Sequence, residues 1–279
     1  MTTTKELLLA ARQRGSAVGA FEVWNLESVQ AAVRAAETHR QAVILAIGPI
    51  EIEYATLEAL AEIALRAARS ARVPVAVHLD HGDSFEMAVQ AIRNGFTSVM
   101  IDASGLPFEE NVRTTTEVAR VAHAAGVSVE GELGVLGTLE GGEEGGRAVC
   151  TDPQDAQRYV EETGIDALAV AIGNAHGFYQ GTPTLDFERL AAIRERVSVP
   201  LVLHGGTGIP EELLRKAIGL GIAKVNVATE YIARFLEGYA RTHRELRDKV
   251  SVRSAFTDSR KAAQALVEEK IRIISGTRA

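Results

Sequence analysis

Eight short apolar runs, separated by longer stretches of helical period, limit the folds this chain can adopt. They are "SAVGAFEV" (16–23), "AVILAIG" (42–48), "VPVAVHLD" (73–80), "SVMIDAS" (98–104), "VSVEGELG" (127–134), "ALAVAIG" (167–173), "PLVLHGG" (200–206) and "KVNVATE" (224–230). Each is rich in Val, Ile, Leu and Ala over most of its length, the pattern of a parallel strand covered on both faces. The intervening stretches are amphipathic. "LESVQAAVRAAETH" (26–39) places Val29, Val33 and Ala36 on one face, and "LEALAEIALRAARS" and "SFEMAVQAIRNG" keep the same period. Ser84 is placed to cap a helix that Gly95 ends, Asp152-Pro153 to open another, and Pro210 to start the one in "IPEELLRKAIGLG".

Eight strand–helix units without a break in composition predict one α/β domain over residues 1–279, a (β/α)8 TIM barrel. A doubly wound open sheet is the alternative. It needs no eighth strand and usually has a Gly-rich turn after the first strand, where this chain reads "AFEVWN". A helical extension is expected from about 230 to 274. The irregular stretch "GVLGTLEGGEEGGRAVCTDP" (134–153) is either an active-site lid or disordered.

Composition removes several functions. A net charge of −7 counts against a nucleic-acid surface and against attraction to anionic lipid. A phosphorylated small molecule stays compatible, because backbone N–H groups hold phosphate without a basic surface. No run approaches the ~18 apolar residues of a membrane span. The amphipathic N-terminus "MTTTKELLLAARQRG", with Leu7, Leu8 and Ala11 at helical spacing, lacks the core of a secretory signal. The single cysteine, Cys150, permits no intrachain disulfide, which fits a reducing, cytoplasmic setting.

In a barrel, chemistry belongs to the C-terminal ends of the strands. Six strands in succession end in polar or Gly-rich residues: "HLDHGD", "DAS", "EGELG", "GNAHG", "HGGTG" and "NVATE". The opposite ends ("ARVP", "GFTS", "GIDAL", "VSVP") are ordinary connections. His81, His176 and His204 therefore converge on one mouth, and three imidazoles with an open position suit a catalytic divalent metal. His78 lies deeper and is expected behind the ligands or inside the barrel. His39, His123 and His243 fall on or beside helices and are expected to face solvent. Glu130 and Glu132, two apart, share a face. Gly177, Gly205, Gly206 and Gly208 with Thr229 make either tight turns or a phosphate cradle of backbone N–H groups and a hydroxyl.

Taken together, "VPVAVHLDHGDSFE", "GFTSVMIDASGLPFEEN", "VSVEGELG", "ALAVAIGNAHGFY", "PLVLHGGTGIP" and "KVNVATE" resemble the class II, metal-dependent ketose-bisphosphate aldolases, the fructose- and tagatose-bisphosphate enzymes among them. The resemblance covers nearly the whole chain. It implies reversible cleavage of a ketose bisphosphate to dihydroxyacetone phosphate and an aldehyde, through an enediolate stabilised by Zn²⁺ or another divalent metal. It allows a monovalent cation besides. It implies His81, His176 and His204 as metal ligands, with Glu132 approaching the metal in some states. It implies Asp80 as the acid/base on the C4 hydroxyl, and Glu144 as the loop carboxylate that exchanges a proton with the three-carbon fragment. Gly177, Gly205, Thr207 and Thr229 are implied to hold the phosphate end, and Asn226 the adjoining hydroxyl or carbonyl. A homo-oligomer, dimer or tetramer, is expected.

The acceptor side departs from the family pattern. "FEVWN" stands where "FNVNN" is usual, so Glu22 and Trp24 replace small amides while Asn25 is kept. Ala46 and Gly48-Pro49 stand where a Gln and then a Ser-Gly pair are common. The loop "GVLGTLEGGEEGG" is longer than usual, Gly145 replaces an Asp, and Ser259 replaces a Pro. Glu22, Asn25 and Ala46 are thus the specificity candidates, and the resemblance leaves room for a different, non-phosphorylated aldehyde. Two other functions fit less well. A metal-dependent hydrolase of this fold would need a His-x-His pair on the first strand, and a non-catalytic subunit would not need Asp80, Glu144 and all three ligands together.

Overall fold

The computed structural model describes residues 1–138, 148–246 and 251–276. Eight strands form a closed barrel: β1 (Val18–Glu22), β2 (Val43–Ile47), β3 (Val75–Gly82), β4 (Ser98–Ile101), β5 (Ser128–Leu133), β6 (Ala167–Val170), β7 (Leu201–Leu203) and β8 (Ile222–Val227). Every strand is parallel to its neighbours, and β8 closes the circle against β1. This is the expected (β/α)8 barrel rather than an open sheet. Gly137–Thr138 and Ala175–His176 form a separate two-stranded pair outside it.

Helix α1 (Thr4–Gln13) precedes β1. Then α2 (Leu26–His39), α3 (Pro49–Ala55), α4 (Leu57–Ser70), α5 (Phe85–Arg93), α6 (Phe108–Ala124), α7 (Pro153–Thr163), α8 (Phe187–Arg196) and α9 (Glu211–Gly219) follow the strands in turn, with α3 and α4 both after β2. The C-terminal extension is α10 (Thr229–Leu246) and α11 (Val252–Ile274). Among the described residues no helix is long and apolar enough to cross a membrane. Ser84 and Asp152 cap α5 and α7 as expected, through side-chain oxygens that accept backbone N–H groups of the first turn.

Period-two alternation explains the two layers of core. Phe21, Leu45, Val77, Leu79 and Val129 point outward into the apolar layer under the helices. Val18, Ala20, Ile44, Ala46, Ala76 and Ala169 point inward. The inward set is small-sided, and Leu7, Leu8 and Ala11 of α1 pack with it, so the N-terminal helix seals the bottom of the barrel. The amphipathic pattern of that helix gave no hint of this location.

Strand six is shorter than the apolar run 167–173, because the backbone after Val170 bonds to loop groups. Ala171 N–H donates to Thr151 Oγ1 at 2.8 Å, and Ile172 N–H donates to Asn174 Oδ1 at 2.8 Å. Helix α6 is tied to β5 through buried Asn111. Its Nδ2 donates to the Glu132 carbonyl at 3.0 Å, and its Oδ1 accepts from Tyr159 of α7 at 2.8 Å. We expect Asn111→Leu to remove both of these buried hydrogen bonds and to lower stability by about 2–4 kcal/mol. Denaturant unfolding of the two proteins measures this, and a midpoint identical to wild type would contradict it.

Candidate active site

All the polar strand ends meet in one cavity of about 470 Å³ at the C-terminal mouth of the barrel. The inward alternation of β3 brings in His78 and Asp80, that of β5 brings in Glu130 and Glu132, and that of β8 brings in Lys224 and Asn226. His81 should then point outward. It does not, because its φ of 46° lies in the left-handed region and the β3–β4 register shifts between Leu79 and Gly82. Such backbone is costly for a non-glycine residue, and it turns the imidazole into the mouth. Gly82 follows because a Cβ there would lie 2.6 Å from the Met100 carbonyl.

His81, His176 and His204 gather so that one ring nitrogen of each lies within 4.8 Å of the others. His81 Nδ1 bonds to Asp102 Oδ2 at 2.7 Å, and His204 Nε2 bonds to Glu130 Oε1 at 2.8 Å. With those far nitrogens donating to carboxylates, the near ones, His81 Nε2 and His204 Nδ1, face each other at 2.7 Å with their lone pairs. Two lone pairs at that distance require a proton or a cation. Burial pulls the His81 imidazole down, but Asp102, Asp80 and Glu132 outweigh it and raise it to about 9. His176 is lowered to about 4 by burial and by the other two histidines. The donor set, three imidazoles of which Asp102 and Glu130 orient two, fits a divalent metal, which would take the place of the proton between His81 and His204.

A second cluster of His78, Asp80 and Glu130 lies beneath. Its centre is filled by the Lys224 ammonium. Nζ donates to the two Glu130 oxygens at 2.9 and 2.8 Å and to His78 Nε2 at 3.1 Å, and it lies 3.6 Å from Asp80 Oδ1. Burial alone would raise Glu130, yet Lys224 and His204 hold it down to about 2. Asp80 behaves likewise: burial opposes, but Lys224, His78 and His81 keep it well below the usual carboxylate range. Glu132 has no such partner. Burial and Asp102 push it up to about 8, and its Oε2 is buried without a hydrogen bond.

Asn226 donates Nδ2 to both Asp80 oxygens at 2.9 Å, leaving its own Oδ1 buried and unpartnered. Gly177, Gly205, Thr207 and Thr229 line the same cavity. Gly177 and Gly205 have φ of 95° and 66°, and a Cβ at Gly205 would collide with the Ala175 carbonyl. Gly206 N–H is already donated to the Asn226 carbonyl at 2.9 Å. Tyr179 OH joins the His176 and His204 loops, accepting from Ala175 N–H at 2.8 Å and standing 3.1 Å from the Gly205 carbonyl. Of the specificity candidates, Glu22 lines the cavity. Asn25 instead caps α2, accepting from Ser28 N–H at 2.9 Å, and Ala46 packs inside the barrel. His123 pairs with Asp166 at the surface, whereas His39 is only half-exposed with a buried Nε2. Glu144 and Gly145 lie outside the described residues.

The family description "Fructose-bisphosphate aldolase class-II" matches residues 2–278. The chain belongs to this family. It is 43% identical to a probable fructose-bisphosphate aldolase of Bacillus subtilis over 276 residues, 98% of this chain and 96% of the relative. It is 47% identical to the fructose-bisphosphate aldolase of Geobacillus stearothermophilus over 234 residues, 82% of this chain and 81% of the relative. Among solved structures it is similar to the YdjI aldolase of Escherichia coli K12, with a TM-score of 0.87 and 36% identity, covering 98% of this chain and 97% of that one.

The aldolase family is metal-dependent, and its activity is that of a carbon–carbon lyase; the three-histidine cluster is the candidate metal site of this aldolase. From sequence alone Lys224, near strand eight, points to the lysine-dependent class of aldolase, a reading that leaves the three histidines unexplained. Its burial and its four-way pairing leave no free amine for a carbonyl. Sequence reasoning gave no role to Asp102, Glu130 or Tyr179, and weighed Lys224 only as a Schiff-base lysine. The polar "DAS" after strand four and a lysine inside an apolar run were the available signals. We expect His176→Ala and His204→Ala to lose bound metal. Asp102→Ala should weaken metal affinity by roughly 10–100-fold, since it frees the His81 ring. Competition against a chromophoric chelator measures all three, and an unchanged affinity in Asp102→Ala would contradict the orienting role.

Proposed function

We propose that this aldolase is a zinc enzyme that reversibly cleaves a ketose phosphate of fructose or tagatose type to dihydroxyacetone phosphate and an aldehyde. The observation that carries the reading is the adjacency of three clustered histidines, two of them oriented by carboxylates, to an ionised, buried Asp80. A divalent cation held by His81, His176 and His204 supplies a Lewis acid for the negative charge that builds on the three-carbon fragment. Asp80 is kept ionised by Lys224 and His78 and oriented by Asn226, so in the cleavage direction it takes the C4 hydroxyl proton. Gly177, Gly205, Thr207 and Thr229, with the start of α10, are the proposed cradle for the donor phosphate. The orphaned Asn226 Oδ1 is available to a donor hydroxyl beside it. Glu132 stands 3.8 Å from His204 Nδ1, close enough to approach a bound metal. Glu144 keeps its expected role of exchanging the proton on the three-carbon fragment. Exposed Leu236, Tyr239 and Val252 on α10 and α11 support a homo-oligomer, and the lone exposed Cys150 supports a cytoplasmic location.

Two assays test these roles. Asp80→Ala should lose cleavage by roughly 10²–10⁴-fold while retaining proton exchange on dihydroxyacetone phosphate in labelled water. Glu144→Ala should lose both. Equal loss of the two reactions in Asp80→Ala would show that Asp80 does not act on the aldehyde fragment. Chelator-treated protein should be inactive and regain activity with Zn²⁺; full activity without metal would overturn the mechanism.

A further inference from the structure

The acceptor end of the cavity holds a feature that family membership does not account for. Glu22, at the end of β1, and Glu51, in the first turn of α3, both line it, and they are only 7% and 9% exposed. Their carboxyl groups converge over Gly48. A Cβ at that position would lie 3.2 Å from Glu22 Oε1, 3.2 Å from Glu51 Oε2 and 3.5 Å from the Asp80 carbonyl. The pair therefore stands directly beside the residue assigned to the C4 hydroxyl. Glu22 Oε1 is buried and has no hydrogen-bond partner. Among the described residues no Lys or Arg lines the cavity.

Two buried carboxylates this close do not both ionise. Burial, Asp80 and Glu51 raise the Glu22 carboxyl well above its ordinary value. Burial also raises Glu51, while its hydrogen bond with Glu22 pulls the other way. One proton is therefore shared, with Glu22 donating to Glu51. The oxygens left facing the cavity are acceptors. A phosphate dianion brings only acceptors and charge to such a surface, whereas a hydroxyl brings a donor.

We propose that Glu22 and Glu51 form an acceptor-aldehyde subsite that receives the hydroxyl groups of an uncharged polyhydroxylated aldehyde and turns away a phosphate at that end. This rests on the aldolase reading above. It names the acceptor class for that reading: the preferred ketose carries phosphate on its dihydroxyacetone half alone. Gly48 belongs to the subsite because a side chain there would press on both carboxyl groups.

The test runs in the condensation direction with dihydroxyacetone phosphate as donor. The acceptors are glyceraldehyde, lactaldehyde (which lacks the terminal hydroxyl) and glyceraldehyde 3-phosphate, and kcat/KM is measured in wild type, Glu22→Gln and Glu51→Gln. Wild type should favour glyceraldehyde over each of the other two by about tenfold or more, since a site built to pair a hydroxyl discriminates against its absence. Each amide variant removes the shared proton and offers N–H donors, so the ratio of glyceraldehyde to its 3-phosphate should fall by about tenfold. Thermal melting establishes that the variants are folded, and either variant suffices if the other does not fold. A wild-type preference for glyceraldehyde 3-phosphate, or a ratio unmoved in a folded variant, overturns the proposal. Proton exchange on dihydroxyacetone phosphate alone, in wild type, separates the two readings. Exchange with the wrong aldehyde ratio overturns only the subsite. Absent exchange overturns the aldolase reading, and the subsite with it.

Discussion

A single ammonium at the centre of the barrel organises the site. Lys224 is fully buried, and an unpaired charge there would cost several kcal/mol. Its pairing with Glu130 and its closeness to Asp80 keep both acids ionised in a place that would otherwise neutralise them. Each acid then acts on the layer above. Glu130 accepts a hydrogen bond from His204 Nε2–H and leaves Nδ1 to face His81. Asp80 accepts from Asn226 and is kept unprotonated for proton transfer. The orientation of one metal-binding imidazole and the charge of the proposed acid/base thus depend on the same ammonium. Removing it would leave two buried carboxylates close together with no compensating charge, so the effect would reach beyond one hydrogen bond.

The fold was legible because both periodicities are clean. Strand residues alternate between a small-sided interior and a helix-covered exterior, and helices carry one apolar stripe. The rule that chemistry gathers at C-terminal strand ends then located the mouth. It grouped His81, His176 and His204 correctly, although His81 reaches the group only through a left-handed φ that its position in the strand does not announce. His176 arrives from a short strand beyond β6 rather than from β6 itself.

What escaped the sequence depends on how loops return. Glu51 sits in a short helix that the sequence leaves unassigned, and nothing in "GPIEIEYA" says which of its acids turns inward. Lys224 reads as a lone cation in a strand until its partners on β3 and β5 are known. Asn25 and Ala46 were singled out by departure or retention at neighbouring positions, but capping and barrel packing account for them. Ala46 shares the inward parity of Val18, Ala20 and Glu22, but of the two only the longer Glu22 side chain reaches the cavity.

Positions 22, 48 and 51 are interdependent. Glu22 alone would be a buried carboxyl beside Asp80, raised in pKa and without a partner for its proton. Glu51 supplies the partner, and Gly48, with no side chain, leaves the two carboxyl groups room to meet. A serine in place of Gly48 would wedge its Cβ 3.2 Å from each carboxyl, tighter than ordinary van der Waals contact. An asparagine at 22 with Glu51 unchanged would exchange the acid–acid bond for an amide donor on a carboxylate, keeping the pair's single negative charge but bringing N–H donors into the pocket. The three positions therefore act as a unit, distinct from the Lys224 network below and sharing with it only Asp80. This separation lets one end of the cavity change its chemistry while the metal site and the donor end keep theirs.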